Sequence, residues 1–336
     1  MRRPRIVDVA KAAKVSPATV SNVLNESRHV DPETRARVTA AVAQLGYTPD
    51  LRAQRLRTGQ IATIAILSSM PFAVAAGPSR LGFLMEIAAV AAAVAMEQGV
   101  ALVLVPPVEF KRAPIERLDV NGVLVVEPLE NDPEVARLRE RGIPVVTIGW
   151  QSNDATDLPY VDLHSAYTAR LLLDHLRAQG GRNIALVLGE QRRNSYRETE
   201  REYRAFARHH KMPSRILRLD ETGGEATARI ACRELLNDDA DIDALCVPVD
   251  AFATGAVRAA ADLGRGIPRD LTIATRYDGQ RARESRPQLT AVNLHLPEIA
   301  AIAVDLLLHD ISGKPGGRPR RGPLPELIAR ESSGCG

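Results

Sequence analysis

The sequence predicts a small all-α head followed by a larger α/β body of parallel sheets. Apolar residues in the first 45 positions recur at helical spacing, and the runs open on capping residues. From Gly59 onward, short strand-like runs alternate with helical stretches, which calls for parallel strands covered by helices. Charge divides at the same place. Residues 1–60 hold eleven Lys and Arg against five Asp and Glu, a net +6, which leaves −3 for the rest of a chain whose total is +3.

The 336 residues accommodate a minor and a major unit. A composition of 45% hydrophobic and 25% charged residues is that of a globular chain, and with 4% aromatics the cores must rest on Ala, Val, Leu and Ile. Cys232, Cys246 and Cys335 are far apart and support neither a disulfide framework nor a zinc site, which fits a reducing cytoplasm. Met1-Arg2-Arg3-Pro4-Arg5 is basic, but no apolar segment follows it as in a secretory signal. The apolar stretch Phe83 to Pro106 is interrupted by Glu86, Glu97, Gln98 and Gly99, so it reads as a helix and a strand, not a membrane span.

In the head, Ile6 to Ala13 has helical spacing and Lys14-Val15 makes a turn. Ser16-Pro17 opens a second helix to about Asn25: Ser caps free amides, and Pro at the first helical position loses no hydrogen bond. Its Val20, Val23 and Leu24 turn inward, leaving Ala18, Thr19, Ser21 and Asn22 for the outer surface. Asp31-Pro32-Glu33 repeats the signal and opens a third helix through Leu45, closed by Gly46. This is a helix-turn-helix, and with its basic charge it points to double-stranded DNA. Asn22 has an amide that pairs bidentately with adenine. Thr19, Ser21, Asn25, His29 and Thr34 suit phosphate oxygens, although Ser16 has a sufficient role as a cap, Thr34 as a helix-surface residue and Asn25 as a helix end.

Residues 50–57 can form a short helix with three arginines, too short to be stable alone in water. Leu56, between Arg55 and Arg57, suits an apolar wedge between base steps. Ala53 lies on the same segment.

In the body, strands are expected at Ala62–Leu67, Val100–Val105, Gly122–Val126, Pro144–Ile148, Ile184–Leu188, Ile216–Leu219, Ala244–Val247 and Leu271–Thr275. Helices are expected at Phe83–Gln98, Ser165–Ala178, Tyr196–His210 and Ala251–Leu263. No nucleotide, nucleophile or metal motif is present, so neither an enzyme nor a cofactor or metal is expected. Ligands of open α/β lobes bind at the carboxyl ends of strands. That rule selects Ser68, Ser69, Trp150, Asp162, Arg192, Arg193, Asn194, Asp250, Arg276 and Asp278. Helix capping is an equal account of Asp162 and the stronger one for Asp250. Arg192, Arg193 and Arg276 permit a carboxylate or other anion, with surface salt bridges as the simpler alternative for any one of them.

Asp8-Val9-Ala10, the run Val15-Ser16-Pro17-Ala18-Thr19-Val20-Ser21-Asn22-Val23-Leu24-Asn25, Thr34-Arg35 and Leu45-Gly46-Tyr47-Thr48-Pro49 resemble the signature of the LacI family. The resemblance covers nearly the whole chain. It implies a helix-turn-helix domain at 1–48, a hinge helix at 49–59 and a two-lobed, periplasmic-binding-protein-like domain at 60–333 with a ligand cleft between the lobes. It further implies that Pro17, Ala18 and Asn22 read bases and that Leu56 enters the minor groove. It implies a cytoplasmic homodimer that represses from a near-palindromic operator with a central CpG, under control of a small polar or anionic metabolite. Two departures stand out: Thr199 takes the place of the family's effector-binding Arg, and Tyr277 or Asp278 that of its ligand-binding Asp.

Overall fold

The computed structural model describes residues 6–24, 30–45, 62–75, 82–106, 119–151, 158–312 and 319–334. Asn25, His29, Ala53, Leu56 and the expected hinge lie outside the described residues. The chain divides into two compact units, one built on Met1–Ile61 and the other on Ala62–Leu308 with Gly316–Gly336.

Among the described residues the head has three helices, α1 (Ile6–Ala13), α2 (Pro17–Leu24) and α3 (Pro32–Leu45). Lys14 ends α1 in the left-handed conformation at φ 54°, and the Val15 amide reaches back to the Ala10 carbonyl at 3.0 Å. The Ser16 hydroxyl caps α2 by accepting from the Thr19 amide at 3.1 Å. Asp31 does the same for α3, accepting from the Thr34 amide at 2.9 Å, and that hydrogen bond holds its carboxyl below the usual range. Val9, Ala10, Ala13, Val20, Val23 and Val38 form the core that fixes the three helices.

Ser21 corrects the sequence expectation: it is 5% exposed, not on the outer surface. Successive helical residues turn by about 100°, so Ser21 follows Val20 at the edge of the apolar stripe and is covered with it. Ala18 and Asn22 lie on the side away from Val20. Ser16, Pro17 and Ala18 are exposed, and Thr19, Asn22 and Thr34 are half-buried.

The body opens with β1 (Ala62–Ser68), α4 (Phe72–Ala75), α5 (Phe83–Glu97), β2 (Val100–Leu104), β3 (Gly122–Val126), α6 (Pro133–Glu140), β4 (Val145–Ile148) and β5 (Tyr160–Asp162). It continues with α7 (Ser165–Ala178), β6 (Ile184–Gly189), α8 (Asn194–His209), β7 (Arg215–Leu219), α9 (Gly224–Asp238), β8 (Ala244–Val247), α10 (Asp250–Asp262), β9 (Thr272–Thr275) and α11 (Gln280–Glu284). It closes with β10 (Ala291–Asn293), α12 (Leu296–Ile311), β11 (Arg320–Arg321) and β12 (Glu326–Ile328).

A six-stranded sheet in the order β11-β5-β4-β3-β1-β2 forms the first lobe and a four-stranded sheet, β7-β6-β8-β9, the second. Every pairing in both sheets is parallel. Parallel sheets are covered on both faces, which is why β3, β6 and β8 read as unbroken apolar runs and, like β4 with its Thr147, are buried end to end. The short β10 and β12 pair antiparallel.

The C-terminal segment is sewn to the second lobe by Ser332, whose hydroxyl accepts from the Thr290 amide at 2.8 Å, and by Ser333, 2.8 Å from Nε2 of His175 on α7. Burial lowers the His175 pKa from 6.5. The unfolded chain therefore takes up a proton first as pH falls, so the folded state loses stability below the unfolded value. Melting temperature should drop from pH 7 toward pH 5, and His175→Asn should flatten part of that slope; an unchanged slope would remove His175 from the account.

Candidate effector cleft and DNA-facing helix

The carboxyl ends of strands from both lobes meet in one cleft. From the first lobe come Met70 after β1 and Glu127 after β3, with Val74 on α4 and Phe83 at the start of α5. From the second come Tyr196 on α8, the Pro248–Asp250 turn after β8, and Arg276 and Tyr277 after β9. They enclose a cavity of about 30 Å³, room for about two waters. Ligand pockets run to hundreds of Å³, well above this volume.

Charge in the cleft is paired within the chain. Arg193, fully buried, forms an ion pair with Glu221 at 2.9 Å, and both side chains are 1% exposed. The same guanidinium donates to the Glu127 carbonyl at 2.6 Å and the Ser69 carbonyl at 2.8 Å, both in the first lobe. Burial alone would lower the Arg193 pKa; the adjacent Glu221 carboxylate outweighs it and the net shift is upward. Glu127 accepts from Arg276 Nη2 at 2.5 Å and from the Ser195 hydroxyl at 2.5 Å. Arg276 also lies over the Phe83 ring, 5.7 Å from its centroid, and Phe83 meets Tyr277 edge-on at 5.3 Å. The Tyr277 hydroxyl donates to Glu86. Arg281 binds Asp250 at 3.1 Å and donates to the Ala73 carbonyl at 3.2 Å. Burial, first, and then the Glu221 charge push the Tyr196 pKa well up, which keeps it a neutral donor. Tyr196 Oη and Arg276 Nε are buried without a hydrogen-bond partner among the described residues. Gly189 is required here, because a Cβ would fall on the Glu221 carboxylate and the Tyr196 ring.

Of the candidates drawn from the sequence, Ser69, Arg193, Asp250 and Arg276 meet at this cleft. Asn194 is buried at the start of α8 beside them in sequence, with no side-chain hydrogen bond to the cleft. Four others serve elsewhere. Asp278 binds Arg283 at 3.1 Å and Arg330 at 2.6 Å, tying down the C-terminal segment. Asp162 accepts from the His164 amide at 2.8 Å and shapes the turn into α7. Arg192 pairs with Glu130 at 2.8 Å on the surface, and Trp150 is 44% exposed outside the cavity lining. The Ser69 hydroxyl is spent on Asp132, which caps α6. Thr199 is spent on its own helix, donating to the Ser195 carbonyl at 2.8 Å. Asp250 stands at the first helical position, one residue after the cap position held by Val249; its carboxylate accepts from the Ala251 amide at 2.8 Å and also faces Arg281.

The sequence reading passed over Glu127, Ser195, Glu221 and the aromatic residues of the cleft. Glu127 was findable, since a lone carboxylate directly after the apolar strand Gly122–Val126 satisfies the strand-end rule already applied elsewhere.

A capped helix-turn-helix head and a two-lobed α/β body with a cleft between its lobes together define a ligand-responsive DNA-binding regulator. The head is that of the LacI family of bacterial regulatory proteins. The family's DNA-binding region matches residues 5–50 and a periplasmic binding protein-like domain matches residues 173–333. It is similar to the transcriptional regulator CelR of Thermobifida fusca, 29% identical over 98% of each chain. It is also similar to the repressor PurR of Haemophilus influenzae, 28% identical over 97% of this chain and 98% of that one. Among solved structures, the complex of CelR with cellobiose superposes with a TM-score of 0.70 at 28% identity, covering 98% of this chain and 100% of that one. The protein is an effector-binding transcription regulator.

Proposed function

We propose that the protein is a cytoplasmic repressor that binds a near-palindromic duplex operator as a homodimer and is released or recruited by a small, uncharged polar metabolite in the cleft. The observation that carries the DNA reading is α2: exposed Ser16, Pro17 and Ala18 with half-buried Thr19 and Asn22, held by a valine core behind them. Small residues at the start of a helix let its backbone approach base edges in the major groove, and Asn22 supplies the amide for adenine. Thr19 and Thr34 suit phosphates; Ser21, being buried, is withdrawn from the outer contact set. Asn25, His29, Ala53 and Leu56 keep their roles on the strength of the family resemblance. Two heads of one dimer would read two half-sites, and Ile230, 55% exposed on α9, is an apolar side chain that a body interface would cover.

The effector class follows from the arginines. Arg193, Arg276, Arg281 and Arg192 each already hold a carboxylate, so the sequence-based argument for an anion loses its free cations. What remains without a hydrogen-bond partner among the described residues is the neutral Tyr196 hydroxyl and Nε of the Arg276 guanidinium, whose charge Glu127 already balances, beside the aromatic faces of Phe83 and Tyr277. The cellobiose complex of a relative is of the same chemical class.

A thermal-shift screen of the full chain against cellobiose, ribose, purines, acetate, citrate and sugar phosphates tests this. A ligand at a hundred times its Kd stabilises the folded state by about 2.7 kcal/mol. Neutral sugars or related polyols should raise the melting temperature in a concentration-dependent way. Hits confined to carboxylates and phosphates would overturn the neutral class.

A further inference from the structure

We propose that Glu127 is a built-in carboxylate ligand of the cleft: it occupies the anion position formed by Arg276 and Ser195, latches the lobes together, and so keeps free anions out. The inference rests on the cleft being the effector site and concerns how that site is regulated.

Glu127 belongs to the first lobe, and its three acceptors all point across the cleft. Its two carboxylate oxygens take Arg276 Nη2 and the Ser195 hydroxyl, each at 2.5 Å, and its carbonyl takes Arg193 Nη1 at 2.6 Å. All three donors belong to the second lobe. A guanidinium plus a hydroxyl on one carboxylate is how a bound carboxylic acid would be held. Here the carboxylate is supplied by the chain. Glu127 is 3% exposed and sits at φ 51°, a left-handed conformation rare for a residue with a side chain. Arg276, 7% exposed and backed by Phe83, has no other carboxylate within ion-pair distance among the described residues. Without Glu127 its charge would be buried and uncompensated. The tether gives this carboxylate an effective concentration at or above about the millimolar range, which a free anion must exceed to displace it.

Hydrogen exchange on the full chain, without operator or sugar, tests the latch. Backbone amides at 69–70 and 193–197 should exchange about tenfold faster in E127A and E127Q than in the parent, through opening of the cleft. Amides of β6 and β8 should stay as protected as before, which identifies a folded variant. Sodium acetate, against sodium chloride at equal ionic strength, should raise the melting temperature of E127A, saturably, while cleft exchange stays fast, because a free carboxylate fills the site without tying it to the first lobe. It should do nothing in the parent, where the site is filled, or in the double variant E127A/R276Q, where the cation is gone. Parent-like exchange at the cleft in both Glu127 variants would overturn the proposal. So would an acetate effect in E127A no larger than that of chloride, or one equally large in the double variant. A sugar hit in the thermal-shift screen alongside parent-like exchange in the Glu127 variants would leave the effector reading standing and sink the latch alone.

Discussion

Arg193→Ala will lower the unfolding free energy of the body by about 3–5 kcal/mol. The substitution strands the Glu221 carboxylate, 1% exposed, without its cation, and removes the donors to the Ser69 and Glu127 carbonyls. A buried pair contributes little net stability, because desolvating both charges offsets their attraction, whereas half a pair is costly. The double variant Arg193→Met/Glu221→Met should therefore recover a large part of the loss. Urea unfolding followed by far-UV circular dichroism reads both. If the double variant is as unstable as Arg193→Ala, the carbonyl contacts between the lobes, not charge compensation, carry the effect.

Such pairs explain where the sequence stopped being informative. The head was legible because its determinants are local: Ser16 and Asp31 cap the helices that begin one residue later, and the valine spacing fixes the face turned inward. In the body, Gly122–Val126 and Ala244–Val247 end where their apolar runs end. The three-residue strands β5, β10 and β12 were not foreseen, since so few residues carry no periodicity and form only where a neighbouring strand is already in place. The cleft was legible only as a set of strand ends. Whether an arginine there is free depends on partners far along the chain: Glu221 lies 28 residues from Arg193, and Glu127 lies 149 from Arg276. Local pattern finds the arginines and not their counter-charges, which is how the expectation of an anionic effector arose. Ser21 failed for a related reason. A small polar residue at the edge of an apolar stripe reads as surface until the packing helices are known.

Asn22→Ala will reduce specific operator binding by about 1–3 kcal/mol per head, the range of a bidentate amide–adenine contact, and by about twice that for a dimer. The helix should survive the change, because Asn22 lies outside the core of Val20, Val23 and Val38 and alanine is a strong helix former. Binding to unrelated duplex should barely move, since that is set by phosphate contacts and counterion release, and should weaken steeply with salt in both proteins. Titrations of the two proteins on matched specific and unrelated duplexes separate the terms. An equal loss on both would assign Asn22 to the backbone of the DNA and not to a base.

On the function proposed above, this chain reads a particular DNA sequence through the exposed side of α2. Selection of bound duplexes from a random pool by the full-length protein tests it most directly. A near-palindrome with one half-site per head and a CpG at its centre should be enriched, with the preference for adenine in each half-site lost in Asn22→Ala. A pool that stays random after repeated rounds at moderate salt, while the protein remains folded and binds duplex, would contradict it.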